Sequence, residues 1–167
     1  MAEESTVVID HPNRDKAASK ATKAVVVLLL LVTAGLMLIV TLGGWSTLQG
    51  TKVVLVGYIA VYLIMAYYVA RWKRGLLPVA AALAIILAIF AAVAVPGWLD
   101  RDAAGFAQPA ISASVLGLVC ALIIPVQILL VAFAMRGFNQ AWNVEVERNP
   151  APPQPRPGAR PHAAQGA

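Results

Sequence analysis

Polar and apolar positions along this chain separate into blocks instead of alternating. Four blocks, residues 24–43, 53–70, 75–95 and 111–135, contain no Asp, Glu, Lys or Arg. Each has about the length a helix needs to cross a ~30 Å hydrocarbon core. The blocks are apolar nearly all round, which fits a helix surrounded by lipid and not one lying on a soluble core. The pattern predicts an all-α polytopic membrane protein: a four-helix transmembrane bundle with antiparallel neighbours and short loops.

The flanks divide the rest. Residues 1–23 form an N-terminal segment in which Asn13 is a plausible N-cap. A basic helix then runs from Arg14 through Lys23 into the first span, with Lys16, Lys20 and Lys23 on one face. Residues 136–149 (RGFNQAWNVEVERN) read as an interfacial amphipathic segment, with Phe138, Trp142 and Val146 recurring every four residues. Residues 150–167 hold six of the eleven prolines and read as a disordered tail. Its Pro-x-x-Pro spacings, at Pro150–Pro153 and Pro152–Pro155, arise easily by chance in such a composition.

Composition supports the membrane assignment. The hydrophobic fraction is 60% and the mean hydropathy +0.76, against roughly 45–50% apolar residues in soluble domains. The first block is expected to be a retained helix and not a signal peptide, because a 23-residue polar leader precedes 20 unbroken apolar residues and Leu42-Gly43-Gly44-Trp45 is a poor cleavage site.

The net charge of +5 points to topology, not nucleic acid, since the basic residues cluster beside the ends of the apolar blocks. Eleven of the thirteen Lys and Arg fall on one side: before block one, in the 71–74 loop and after block four. Only Lys52 and Arg101 fall on the other. The positive-inside rule then puts both termini in the cytoplasm of a multi-pass cell-membrane protein. Trp45 and Trp98 are expected as anchors at the outer interface, and Trp72 and Trp142 at the inner one, with Tyr67 and Tyr68. Pro78 falls in a first helical turn, Pro96 is expected to close the third helix, and Pro109 precedes the fourth.

Candidate chemistry is sparse. Ala80, Ala84, Ala88 and Ala92 form a four-residue ladder of small side chains, with Gly117 and Ala121 as a matching notch, so this face is expected to pack against protein. Pro125 frees the carbonyl of Ala121, and Gln127 is the one carboxamide deep in a span. With Tyr58 and Tyr62 they make up a candidate intramembrane polar site, for which an interhelical hydrogen bond is the plainer explanation. Asp100-Arg101-Asp102 reads as a solvated turn, and Cys120 as a small packing residue. His11 and His162 lie near the termini, which excludes histidine ligation of haem or metal inside the membrane. No cofactor is implied, and no nucleophile, base and orienting group fall within reach of one another.

Two functions remain. The first is an accessory, assembly or structural subunit, packing against other membrane proteins or against a second copy within the lipid bilayer. The second is a small transporter without proton coupling, or a lipid-handling protein, built around Gln127. Proton coupling is disfavoured because the spans carry no carboxylate.

Overall fold

The computed structural model describes residues 8–103 and 105–148, so the proline-rich segment lies outside the described residues. Strand β1 (Val8–Asp10) leads into a four-residue helix α1 (Pro12–Asp15), opened by the proline that best tolerates that position. Lys16, with ψ of 130°, breaks the chain direction, and the long helix α2 (Ala17–Gly43) follows. Helices α3 (Lys52–Ala70), α4 (Leu76–Leu99) and α5 (Ala113–Asn139) come next, and β2 (Val146–Arg148) ends the described chain. Helices α2 to α5 are long and apolar enough to cross a membrane.

The expected helix from Arg14 into the first span is therefore interrupted. Asn13 does not cap it: its amide donates to the carbonyl of Ala141 at 3.1 Å, and its Oδ1 accepts from Lys16 Nζ at 2.7 Å. Helix α4 also passes through Pro96 to Leu99 instead of stopping there. Pro96 is exposed on the helix surface, where its ring and missing N–H disturb only the outward side.

The four long helices pack in the spatial order α3–α2–α5–α4. Helix α2 contacts both α3 and α5, α4 and α5 make the most extensive contact, and α3 and α4 barely meet. Neighbours are antiparallel. Lys23 near the start of α2 reaches the carbonyl of Ala70 at the end of α3, and the backbone N–H of Ile111, just before α5, bonds to Gly43 at the end of α2.

Gly117, also buried, adjoins the buried seam of α5, which runs through Ala113, Leu116, Cys120, Ile123, Gln127, Leu130, Ala134 and Gly137. These positions step by three and four in strict alternation, a 3.5-residue repeat that keeps one seam facing its partner. On α4 the same rhythm links Leu77, Ala80, Ala84, Leu87, Ala91 and Trp98. Large aliphatic residues such as Ile85, Ile89 and Val93 point outward.

At one end of the bundle the chain builds a small cap, an addition to the expected all-helical fold. Strands β1 and β2 pair antiparallel, Val8 opposite Arg148 and Asp10 opposite Val146. Residues 136–148 therefore do not form one continuous helix. Helix α5 continues to Asn139, the chain turns at Ala141 with φ of 49°, and Trp142 folds back under the cap, fully buried.

Candidate functional site

The polar residues singled out in the spans form an internal cross-link. Tyr62 on α3 donates its hydroxyl to Gln127 Oε1 at 2.9 Å, and Gln127 Nε2 donates to Thr33 Oγ1 on α2 at 2.9 Å. Thr33 in turn donates to the carbonyl of Leu29 at 2.8 Å. All three side chains are fully buried. Three helices are joined through one carboxamide, whose donor and acceptor ends both have partners. Tyr58 stands beside Tyr62 with ring centroids 6.1 Å apart, and only half-buried. Pro125 takes no part: residues i and i+2 point to nearly opposite sides of a helix, so Pro125 is exposed where Gln127 is buried.

The alanine ladder is used for only part of its length. Ala80 and Ala84 are fully buried, Ala88 is partly covered, and Ala92 is exposed. A strict four-residue repeat drifts by roughly 40° per step on a helix of 3.6 residues per turn. After Ala84 the seam passes instead to Leu87, Ala91 and Trp98. Gly117 on α5 packs against the end of that seam: a Cβ there would come within 3.1 Å of Leu99 and 3.3 Å of Trp98. Ala121 is half-buried beside it.

The four tryptophans divide into two pairs. Trp45 is about half exposed, with the Lys52 ammonium 4.8 Å from its ring centre. Trp72, at a φ of 63°, is half-buried beneath the Lys23 ammonium at 4.0 Å. Trp98 and Trp142 are buried within the protein. Trp142 meets Trp72 edge-on at 5.2 Å and donates Nε1–H to Gln140 Oε1 at 3.0 Å. Gln140 also donates to Thr22 Oγ1 at 3.0 Å, and Arg14 Nε donates to the Trp142 carbonyl at 3.1 Å. Trp98 is 6% exposed and wedged among Val40, Leu116 and Cys120.

Two features escaped the sequence reading. One is the cap. The other is an apolar cleft of about 570 Å³ between the start of α3 and the end of α4. Thr51, Val54 and Leu55 form one wall, Leu87 to Trp98 the other, and Met37, Val40, Cys120 and Ile123 the floor. Burial of Trp98 draws the end of α4 toward α2 and α5, leaving α3 standing apart. The three-and-four spacing running from Leu77 to Trp98 is the sequence signal that places this tryptophan on the seam. A smaller recess of about 250 Å³ adjoins the cleft at its mouth, bordered by Thr47, Gln49 and Arg101.

Among the described residues no three His, Cys, Asp or Glu side chains come together. No family model, curated protein or solved structure matches the chain.

Proposed function

We propose that the protein is a non-enzymatic structural or accessory subunit that packs its perimeter against another membrane protein or a second copy of itself. Gly35 on α2 and Gly57 on α3 carry this reading. A Cβ at either would meet nothing within 4 Å, and both are exposed, so the chain's own packing makes no use of their smallness. In lipid, where helix contact depends on close backbone approach, small residues of this kind serve a neighbouring helix.

The fold assists by holding its interior closed. Gln127 has its hydrogen bonds within the bundle, so the transporter alternative loses its polar site and keeps only the apolar cleft in its support. The charge count supports a cytoplasmic cap in a multi-pass cell-membrane protein, because Lys52 and Arg101 are the two basic residues at the opposite end.

The test is the mass of the complex purified in mild detergent. The wild-type protein is expected to run as an assembly larger than one chain. Gly35→Leu combined with Gly57→Leu should reduce it to a single chain with helix content and melting temperature kept. A single-chain wild type, or an assembly that survives both leucines, overturns the proposal.

A further inference from the structure

We propose that the cleft between α3 and α4 binds one acyl chain of an anionic phospholipid, whose phosphate is held at Arg101. The inference stands apart from the subunit reading, since it concerns a cavity that this chain builds alone.

The cleft has the size of a small-molecule site, within the roughly 300–1,000 Å³ usual for such pockets. A partner helix about 10 Å across is a rigid cylinder and needs a groove shaped to it. A flexible hydrocarbon chain suits the space better. The walls are side chains of Val54, Leu55, Ile89, Phe90 and Val93, which offer a polar ligand nothing to bond. The cleft lies between two helices of membrane-spanning length, so a chain can enter sideways from the bilayer.

What specifies the occupant is the mouth. Cleft and recess share Leu48, Thr51, Ala94 and Trp98, so an apolar space passes directly into a polar one. Arg101 borders that recess. Its guanidinium lies 5.4 Å from the Trp98 ring centre, which orients it beside the opening. Arginine presents several donors and no acceptor, in a fork that matches phosphate oxygens. Gln49 and Thr51 add further donors at the rim. A long apolar tail continuous with an anionic head satisfies both halves; a neutral sterol or a soluble anion satisfies only one.

The experiment is native mass spectrometry of the full chain, stripped of lipid in detergent and titrated with dioleoylphosphatidylglycerol or dioleoylphosphatidylcholine. One phosphatidylglycerol is expected to bind, favoured over phosphatidylcholine by roughly two- to fivefold, as for a partly exposed charge pair. Arg101→Gln should abolish the preference, and Lys52→Gln should leave it. Val54→Trp with Val93→Trp, which fill the cleft from two exposed positions, should remove binding of both lipids without lowering the melting temperature. Equal binding of the two lipids to the wild type, a preference that persists in Arg101→Gln, or unchanged binding in the tryptophan variant overturns the proposal.

Discussion

Tyr62 and Gln127, 65 residues apart in the chain, share a buried hydrogen bond of 2.9 Å. Through Gln127 this bond reaches Thr33, so α2, α3 and α5 are tied at one level of the bundle. Interhelical hydrogen bonds in membranes contribute about 0.6–2 kcal/mol. Gln127→Leu also leaves the Tyr62 hydroxyl without its acceptor, which adds to the loss. The expected destabilisation is about 1–2 kcal/mol, read from unfolding in mixed micelles. Tyr62→Phe in the Gln127→Leu background should cost less than Tyr62→Phe alone; full additivity would show that the two side chains act independently.

Ala84 and Ala92 test the seam. Ala84→Leu forces a larger side chain into a filled contact with α5, at about 1–3 kcal/mol. Ala92→Leu adds the same atoms to an exposed position and should leave stability within about 0.5 kcal/mol. Equal losses at both positions would restore the four-residue ladder as the packing face.

Gly44 and Trp98 are coupled by contact. A Cβ at Gly44 would come within 2.5 Å of the Trp98 ring and 2.9 Å of the Val40 carbonyl. Gly44→Ala is therefore expected to cost about 1–3 kcal/mol, and Trp98→Leu should relieve part of that cost in the double variant. Gly57→Ala, with open space around it, should be neutral or stabilising by up to about 1 kcal/mol. Thermal unfolding in detergent separates the two cases.

Trp142 holds the cap. Trp142→Ala removes a fully buried ring together with its contact to Trp72 and its bond to Gln140. Truncation of a buried tryptophan costs about 3–5 kcal/mol, and here the loss should fall on the cap, with the helices intact. Limited proteolysis of residues 140–148 should accelerate strongly, while helix content stays constant. Trp142→Phe should fall between, keeping the ring contact and losing the hydrogen bond.

The four helices of membrane-spanning length and composition were legible because lipid imposes a length and an absence of charge, and both are local properties. The number of long helices followed, with their ends right to within four residues except where α2 begins at Ala17. Gln127 was legible as an exception, since a lone carboxamide in an apolar span needs a partner; the sequence grouped Tyr62 with it and left Thr33 out of that group. The sides of each helix were harder to read. Lipid and protein interior are equally apolar, so hydrophobicity does not mark the buried face. Residue size marks it better, with small residues recurring on the inward seam at three-and-four spacing and large aliphatics outside.

Sequence alone thus determined four charge-free stretches of membrane-spanning length and the asymmetry of basic residues at their ends, because each depends only on local composition. Tertiary structure decided which helices touch, why Trp98 and Trp142 are buried while Trp45 is exposed, and that α3 stands apart from α4 to leave a cleft. Those outcomes depend on how side chains distant in the chain fill shared space, and no local pattern encodes that volume.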